Sequence, residues 1–312
     1  MKTLFFGTPA LAVSYLEALH QQTRVQAVIT SPDQPAGRGY AVRPPAVKTA
    51  AERLGVALLQ PDSVRTPEFL RHMTAFQADV AIVVAYGKLL PAAVLATTKH
   101  GFLNVHFSLL PAYRGAAPIQ RALINGEAET GVSLFWLDAG MDTGPIFLQK
   151  KLPILPEDDA ERLRQRLIPL GVEALKEGLA ELEAGRKVAY AQTGVASHAA
   201  ILTKADGRID WNQSAIIVAN RIRGLTPWPG AFCFVVSGNS KTRLKVLTCR
   251  RARVDPKGVP GCLSIFEREK WVVVKCKEGA LELTEVQPEG RKPITAWSWL
   301  QGARLKTGDV LE

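Results

Sequence analysis

ADVAIVVA, at Ala78–Ala85, is an almost unbroken apolar stretch. Runs of this kind are typical of strands that are buried on both faces of a parallel sheet. Further short apolar runs lie at Lys2–Phe6, Val25–Thr30 and Phe102–His106, and amphipathic stretches alternate with them along the first half of the chain. Strands that alternate with helices predict an α/β domain built on a mainly parallel sheet flanked by helices.

The amphipathic stretches are predicted to be helices because their apolar residues recur at helical spacing. Asp158–Ala184 is the longest of them, and Gly185 follows it where a glycine commonly ends a helix. Gly131–Asp138 and Pro145–Leu152 are expected to complete the sheet as a hairpin-like pair. The other elements predicted here are helices at Pro9–His20, Ala46–Leu54, Pro67–Gln77 and Ala117–Asn125 and a short strand at Val56–Leu59.

A polar, irregular stretch precedes the last third of the chain. We predict a catalytic domain at 1–187, a linker at 188–208 and a C-terminal domain at 209–312. Short strands separated by Gly, Asn, Asp and Pro turns favour a small OB-like β-barrel, a fold that often binds oligonucleotides. After a helix at Ser214–Arg223, strands are predicted at Ala231–Val236, Leu244–Thr248, Gly261–Ile265, Trp271–Lys275 and Leu281–Val286.

The charge of the chain is unevenly distributed. The 312 residues carry a formal net charge of +10. Residues 1–205 hold 21 Lys and Arg against 18 Asp and Glu, whereas residues 206–312 hold 18 against 11. A basic domain attached to a nearly neutral one suggests a polyanionic partner such as nucleic acid. A basic surface without such a partner is the alternative.

Several classes of protein are disfavoured by the composition. No apolar run approaches the roughly 18 residues of a membrane helix, and Met1–Gly7 lacks the features of a secretory signal. We therefore expect a soluble, cytoplasmic protein without a membrane partner. No two of the four cysteines form a C-x-x-C pair, so buried free thiols are predicted rather than a zinc site or a disulfide framework. These cysteines are Cys233, Cys249, Cys262 and Cys276.

Two polar side chains stand near the carboxyl end of a predicted strand. Asn104 and His106 are two positions apart, so they share one face of the strand, and Val105 points to the other. In a parallel sheet, ligands bind beyond the carboxyl ends of the strands. A histidine titrates near neutral pH and an asparagine offers an amide donor, so both could meet one substrate atom.

A second polar element is the turn Asp138–Pro145, which contains two glycines and a proline. Such a turn can hold Asp142 away from solvent, where its carboxylate would support an imidazolium or fix a histidine tautomer. Each piece also has a structural explanation: a histidine at a strand end, an aspartate in an Asx turn, and Arg114 as a surface arginine. The spacing alone does not name a reaction.

The order of these pieces resembles a known family. The motif N-x-H-x-S-L-L-P-x-x-R-G at Asn104–Gly115, followed by G-x-D-x-G at Gly140–Gly144, resembles the formyltransferases that use 10-formyltetrahydrofolate. Phe6–Pro9 is similar to the first strand and turn of that family. Pro35–Gly39 and Asn220–Ala231 resemble segments of the branch that formylates initiator methionyl-tRNA. The resemblance covers the whole chain.

The resemblance implies a Rossmann-like formyltransferase domain followed by the OB-like barrel, and it implies site residues. Asn104, His106 and Asp142 would be catalytic. The formyl donor and co-substrate would be 10-formyltetrahydrofolate, with no metal, and the absence of G-x-G-x-x-G after the first strand gives no support for a dinucleotide. The folate-binding residues would be Ser108, Leu109, Leu110 and Pro111, together with Val84, Tyr86 and Gly87.

The implied reaction is transfer of the formyl group to the α-amino group of initiator methionyl-tRNA. Attack on the formyl carbon creates an oxyanion, which Asn104 and a protonated His106 are expected to stabilise. Asp142 is expected to raise the pKa of His106, to keep it cationic, and to relay a proton through water.

Basic residues of the inserted loop and of the C-terminal domain would bind the tRNA through its phosphates. The loop departs from the family pattern, since Tyr40 and Ala41 stand where lysines are common. We expect the protein to act as a monomer. The candidates for tRNA contact are Arg38, Arg43, Lys48, Arg221, Arg223, Lys241, Arg243, Lys245 and Lys292.

Three other functions are compatible with parts of the pattern. The same chemistry could formylate a small amine, such as an amino-sugar nucleotide or a purine precursor, and the catalytic residues do not separate these acceptors. Water in place of the amine would make a hydrolase. A non-catalytic RNA-binding protein would need neither Asn104, His106 nor Asp142, and their joint presence disfavours it.

Overall fold

The computed structural model describes residues 1–36, 41–237 and 240–312, and the chain forms two compact units. Unit 1 comprises Met1–Pro118, Glu129–Pro153 and Gln165–Ala199, and unit 2 comprises Ile119–Ala128, Ile154–Arg164 and Ala200–Glu312. The units alternate along the chain, and the stretch 188–208 is divided between them at Ala199. The domain boundaries predicted at 1–187, 188–208 and 209–312 stay a prediction.

The strands of unit 1 form one large sheet and two small ones. They are β1 (Lys2–Gly7), β2 (Arg24–Ile29), β3 (Gln34–Ala36), β4 (Ala41–Arg43), β5 (Leu58–Leu59), β6 (Val80–Val84), β7 (Phe102–His106), β8 (Arg114–Gly115), β9 (Glu129–Trp136), β10 (Ile146–Pro153) and β11 (His198–Ala199). The large sheet has the order β10-β9-β7-β6-β1-β2-β5. Its strands are parallel from β7 to β5, whereas β9 is antiparallel to both β7 and β10. The mainly parallel sheet predicted from the sequence is confirmed.

The stretch ADVAIVVA contains β6, the central strand of this seven-stranded sheet. Every residue of β6 is buried, and the strand lies between β1 and β7. The chain runs from β1 outward to β5 and then returns to β6 on the other side of β1. A reversal of this kind leaves a crevice at the carboxyl ends of the strands, where α/β proteins bind ligands.

Two helices of unit 1 have ends that follow the usual capping rules. Helix α3 begins after Thr66, whose hydroxyl accepts a hydrogen bond from the Phe69 N–H at 3.2 Å, and Pro67 occupies its first turn. Helix α2 ends at Gly55 with φ of +67°, a conformation that favours glycine. The helices from the N-terminus to α6 are α1 (Val13–Gln22), α2 (Ala46–Leu54), α3 (Pro67–Ala75), α4 (Ala92–Leu95), α5 (Pro118–Ile124) and α6 (Ala160–Glu183). Most of α5 and the first turn of α6 belong to unit 2.

Unit 2 contains an antiparallel sheet and two further helices. The elements are α7 (Ala215–Leu225), β12 (Ala231–Ser237), β13 (Ser240–Arg251), β14 (Leu263–Phe266), β15 (Trp271–Lys275), β16 (Ala280–Pro288), β17 (Ile294–Thr295) and α8 (Ala296–Ala303). The strand order is β12-β13-β16-β15-β14, with β17 also paired to β16. The C-terminal β domain of short strands predicted from the sequence is confirmed, and its sheet is antiparallel.

The last residues of the chain close this sheet into a barrel. The backbone N–H of Phe234 in β12 donates to the carbonyl of Glu312 at 2.7 Å. On the other side, the N–H of Leu263 in β14 donates to the carbonyl of Asp309, also at 2.7 Å. The segment 309–312 therefore bonds to both terminal strands of the sheet, which removes its open edges.

The described residues were compared with the requirements of a membrane-spanning helix, a metal site and a disulfide bond. Their helices lack the combination of length and apolar character that crossing a bilayer requires. They also hold no group of three or more His, Cys, Asp or Glu side chains placed to bind a metal ion. All four cysteines are free thiols, and burial raises the pKa of Cys233 and of Cys249 to about 12.

Candidate active site

A cleft of about 440 Å³ lies in unit 1 at the carboxyl ends of β6 and β7. Its walls come from the segment after β6, the end of β7, the segment after β8 and the loop after β9. The lining is largely apolar, with a few polar groups among apolar side chains, as is common in small-molecule sites. Residues that line it include Ala85, Tyr86, Gly87, Leu89, Leu90, Leu95, Asn104, His106, Gly115, Leu137, Met141 and Asp142.

The three predicted catalytic residues meet at this cleft. Asn104 is half-buried, and His106 is buried at the end of the same strand. Asp142 comes from the loop between β9 and β10, which lies beside β7 because β9 pairs with it. The strand alternation that placed Asn104 and His106 on one face thus brings both to the cleft, although Val105 also contributes to the lining.

The imidazole of His106 is held by the backbone on one side. Its Nε2 lies 2.8 Å from the carbonyl oxygen of Tyr113. A carbonyl oxygen can only accept, so Nε2 carries a hydrogen. In the neutral tautomer, Nδ1 then has a free lone pair, and this atom lies 3.7 Å from Oδ2 of Asp142.

Burial is the largest influence on the pKa of His106. Desolvation lowers the pKa of His106 below its ordinary value of 6.5, and this effect is larger than the opposing ones of the Asp142 carboxylate and the Tyr113 carbonyl. The Asp142 carboxylate raises the pKa of His106, as predicted, but burial lowers it by more. A cationic His106 during the reaction stays a prediction. The Asp142 carboxylate lies 3.7 Å from Nδ1, beyond hydrogen-bond distance, and its upward effect on the pKa is smaller than the downward effect of burial.

Asp142 is fixed in an uncommon backbone conformation. Its φ is +55°, in the left-handed region, and its Oδ2 accepts a hydrogen bond from the backbone N–H of Gly115 at 2.7 Å. The Asx-type contacts of this loop belong instead to Asp138, whose carboxylate accepts from the Gly140 N–H and from the Thr143 hydroxyl. The carboxylate of Asp142 is thus left to face His106.

Gln192 is a residue of this site that the sequence pattern does not reveal. Its Nε2 donates to the carbonyl oxygens of Asp142 and Gly144, both at 2.8 Å. Its Oε1 accepts from Nε and Nη2 of Arg114 at 3.1 and 2.6 Å. A glutamine in an irregular polar stretch carries no sequence signal, because its partners lie far away along the chain.

The stretch that contains Gln192 also pairs with the segment that follows His106 in unit 1. Strand β11 lies parallel to β8, and the Ser197 hydroxyl accepts from the Tyr113 N–H at 2.9 Å. The carbonyl of Ser197 accepts from the Arg114 N–H at 2.9 Å. Residues 190–199, predicted as part of an irregular linker, therefore help to position the segment that holds His106 and Asp142.

The predicted folate-binding residues fall into two groups. Tyr86 and Gly87 line the cleft, whereas Val84 lies between two lining residues, Val83 and Ala85, without being one itself. Ser108, Leu109, Leu110 and Pro111 are not among the described residues that line it. A folate contact by these four residues stays a prediction.

The Ser108–Pro111 segment is instead tied to the sheet. The Ser133 hydroxyl donates to the carbonyl of Ser108 at 2.6 Å and accepts from the Leu110 N–H at 3.1 Å. Gln149 donates to the carbonyl of Leu110 at 3.0 Å. These bonds fix the path of the chain between His106 and Tyr113.

The predicted tRNA residues of unit 1 differ in whether their charge is exposed and unpaired. Arg38 lies outside the described residues. Arg43, at the end of β4, is exposed. Lys48 forms an ion pair with Asp33, with 2.7 Å between Nζ and Oδ2, so its charge is partly neutralised.

Two of the predicted tRNA residues in unit 2 are engaged with its own backbone. The guanidinium of Arg221 donates to the carbonyl of Asp206, and that of Arg223 donates to the carbonyl of Leu155 at 3.2 Å. Burial lowers the pKa of Arg223, and Asp158 opposes this effect. Both side chains therefore bond to the backbone within unit 2.

The other predicted cations of unit 2 lie mostly on the outer face of β13. Leu244 and Val246 point into the barrel, so the alternating residues Lys241, Arg243 and Lys245 point outward. The Arg243 guanidinium lies 3.7 Å from the centre of the Phe232 ring, and Lys241 pairs with Glu312. Lys292, between β16 and β17, is exposed.

The polar groups of the cleft suit transfer of an acyl group to an amine. An amide donor, a neutral imidazole with a free lone pair and a carboxylate beside it can stabilise an oxyanion and move a proton. The apolar side chains of the segment after β6 and of the loop after β9 provide a surface for a flat, partly apolar ligand.

Comparisons with known proteins agree with this geometry. The family model "Formyl transferase" matches residues 1–179, and the model "Formyl transferase, C-terminal domain" matches residues 201–304. A protein of Sorangium cellulosum named methionyl-tRNA formyltransferase is 44% identical over 100% of this chain and 99% of its own length. One of Thermus thermophilus with the same name is also 44% identical, with the same coverage of both chains.

A solved structure has the same fold. The N-formyltransferase of Helicobacter canadensis, in complex with folinic acid and dTDP-3-aminofucose, superposes with a TM-score of 0.67 over 92% of this chain and 99% of its own. Its sequence is 18% identical, so this likeness concerns the fold alone. The full-length relatives and the two matching models carry the assignment: the chain belongs to the formyl transferase family.

Proposed function

We propose that this protein transfers the formyl group of 10-formyltetrahydrofolate to the α-amino group of initiator methionyl-tRNA. The observation that carries the proposal is the meeting of Asn104, His106 and Asp142 at one cleft of a formyl transferase domain. The acceptor is supported by relatives named methionyl-tRNA formyltransferase, which match the chain over its full length. The basic balance of residues 206–312 fits a nucleic-acid acceptor.

The formyl donor occupies the cleft in this proposal. A structural neighbour that holds folinic acid, a formylated folate, supports a folate site in this fold. Tyr86, Gly87 and the neighbouring apolar residues Leu89 and Leu90 provide one wall for it, and Met141 provides another. The reactive formyl group then lies near Asn104 and His106.

The reaction begins when the neutral amine attacks the formyl carbon. A bond forms between the amine nitrogen and this carbon, and the carbonyl oxygen becomes an oxyanion. The side-chain amide of Asn104 donates a hydrogen bond to the oxyanion; a donor of this kind contributes about 3 kcal/mol in other enzymes.

The proton of the amine passes to His106. Its Nδ1 accepts the proton, because Nε2 already carries one and is bound to the carbonyl of Tyr113. Asp142 stabilises the imidazolium as it forms. The carbon–nitrogen bond to the folate then breaks, and the imidazolium returns the proton to the departing folate nitrogen. His106 is neutral at the start and at the end.

The outer cations of unit 2 and the exposed cation of β4 bind the tRNA backbone in this proposal. Lys241 and Lys48 are paired with carboxylates, whereas Lys245, Lys292 and Arg43 are candidates at least partly exposed to solvent. Lys241 and Arg243 reach the same face of β13. We place the reaction in the cytoplasm, and we expect one chain to act as a monomer.

The test is a formylation assay with matched acceptors. The protein is incubated with 10-formyltetrahydrofolate and initiator methionyl-tRNA, free methionine, an elongator methionyl-tRNA or a dTDP-amino sugar. Formyl transfer to the initiator tRNA, with much less transfer to the other acceptors, is expected. Preferred transfer to the sugar, or release of formate without an acceptor product, would refute the proposal.

A pair of histidine variants connects the activity to the cleft. His106→Ala is expected to lose most of kcat and to stay folded. His72→Ala is the matched control, because His72 is exposed on α3, away from the residues that line the cleft. Wild-type turnover by His106→Ala would contradict the assigned role.

A further inference from the structure

We infer that Gln192 and Arg114 are positioning residues for the reaction proposed above, on which this inference rests. They form a chain of hydrogen bonds behind the cleft that ends on the main chain of Asp142. Neither side chain lines the cleft. Their role is to hold the Asp142 carboxylate at the distance from His106 that the proton transfer requires.

The orientation of the Gln192 amide follows from its partners. The carbonyl oxygens of Asp142 and Gly144 can only accept, so they face the NH2 group of the amide. The guanidinium of Arg114 can only donate, so it faces the amide oxygen. All four hydrogen bonds are satisfied at once in this orientation.

These bonds restrain a turn whose backbone is in a left-handed conformation at Asp142. Asp142 adopts φ of +55°, a left-handed conformation that costs free energy for a residue with a Cβ, although aspartate tolerates it better than most. Gln192 donates hydrogen bonds to the carbonyl of this residue and to that of Gly144, which lies two positions further on. One side chain therefore holds the second half of the turn at two points, Asp142 and Gly144.

Arg114 connects the hydrogen bonds of Gln192 to the residues that contact His106. Its neighbour Tyr113 binds Nε2 of His106 through the carbonyl oxygen, and its other neighbour, Gly115, binds the Asp142 carboxylate through the N–H. One tripeptide thus contacts His106, Asp142 and Gln192. Anchored by Ser197, it fixes the relative positions of the imidazole and the carboxylate.

The experiment compares kcat with binding and with the state of His106. Gln192→Met keeps the size of the side chain and removes its hydrogen bonds. Gln192→Glu keeps an acceptor for Arg114 but cannot donate to the two carbonyls while it is ionised, and it provides a second variant if the first one fails to fold. Gln21→Met, at an exposed position of α1, is the matched control.

The expected result is a fall in kcat of about 10- to 100-fold in both Gln192 variants, since misplacement of a catalytic group by about 1 Å has effects of this size. The Kd of 5-formyltetrahydrofolate should stay within about twofold of the wild-type value, because Gln192 does not line the cleft. The ring ¹⁵N resonances of His106 should shift. Gln21→Met should match the wild type in all three measurements.

Three results would overturn the inference: wild-type kcat in the Gln192 variants, a parallel loss of 5-formyltetrahydrofolate binding, or unchanged ¹⁵N resonances of His106. The proposed function is tested separately by the wild-type protein. If the wild type fails to formylate methionyl-tRNA, the function is wrong, and the His106 resonances still decide whether Gln192 positions the pair.

Discussion

The Asp142 carboxylate accepts a hydrogen bond from the Gly115 N–H at 2.7 Å through the oxygen that lies nearest Nδ1 of His106. One oxygen atom thus joins a backbone donor to the imidazole. The N–H fixes the position of the carboxylate, whereas its negative charge acts on His106. These two contributions can be separated by substitution.

Asp142→Asn should separate them. An asparagine oxygen can still accept from the Gly115 N–H, so the free energy of unfolding should change by less than about 1 kcal/mol. The variant lacks the charge that stabilises the imidazolium, and kcat should fall by at least about tenfold. Chemical denaturation and steady-state kinetics measure the two effects. A destabilised variant with normal kcat per folded molecule would show that Asp142 has only a structural role.

Gly115→Ala should disturb both the backbone and the site. Gly115 has φ of +119°, and a Cβ there would lie 2.8 Å from the carbonyl oxygen of Ala199. We expect a loss of stability of about 1–3 kcal/mol from the strained backbone, together with a lower kcat. Gly185→Ala is the control, because that glycine also has positive φ but has open space around it. Equal effects on kcat in the two variants would contradict this account.

Asn104→Ala should affect the transition state more than the bound folate. Removal of one oxyanion donor lowers kcat by about 10²- to 10³-fold in other enzymes. The Kd of 5-formyltetrahydrofolate should change little, since the apolar walls remain. Asn125→Ala, at an exposed position after α5, is a control for the change in residue type. A large rise in Kd with unchanged kcat would assign Asn104 to binding instead.

The pKa of His106 predicts a specific dependence on pH. The charged group that acts on the ring is the Asp142 carboxylate, and the Tyr113 carbonyl faces Nε2. Burial nevertheless lowers the pKa below 6.5 in the folded protein, so the unfolded chain takes up this proton more readily. Stability due to His106 is therefore complete above pH 6.5 and is lost as the pH falls through the folded-state value.

Two measurements check this prediction. An NMR titration of His106 should give a midpoint below 6.5. The stability of His106→Asn should fall less steeply than that of the wild type between pH 6.5 and lower values, since the variant has no proton to take up at this site. A midpoint above 6.5 would restore the cationic His106 that the sequence pattern predicts.

The nine predicted tRNA cations should not behave alike. Lys292→Ala should weaken tRNA binding and reduce the salt slope by about one phosphate contact, because Lys292 is exposed. Arg223→Ala should mainly destabilise unit 2, because this guanidinium is bound to the carbonyl of Leu155. Binding measured at several salt concentrations, together with thermal unfolding, distinguishes the two. A reduced salt slope in Arg223→Ala at unchanged stability would contradict this ranking.

The sequence predicts those features that depend on neighbours in the chain. The strand β7 was expected at Phe102–His106 and lies there, and the alternation of its residues brings Asn104 and His106 to one cleft. The helix α2 was expected at Ala46–Leu54, and it has these ends. Apolar runs and helical spacing are local properties of the sequence, so the elements that they predict are found in the folded chain.

The missing features depend on contacts between distant residues. Gln192 meets Asp142 across 50 positions and Arg114 across 78, and no spacing rule connects them. The protonation of His106 depends on how completely the folded chain removes water, which a sequence does not state. The two-residue strands β8 and β11 are too short for any periodicity to reveal them.

The alternation of the two units along the chain has a consequence for synthesis on the ribosome. Helix α5 belongs largely to unit 2, and Ile124 of this helix contacts Gly224 of α7 so closely that an added Cβ would lie 2.7 Å away. The two residues are translated roughly 100 positions apart, which at about 5–20 residues per second means a delay of roughly 5–20 s. During that time α5 is without its partner, so nascent chains arrested between these positions should be especially prone to bind chaperones.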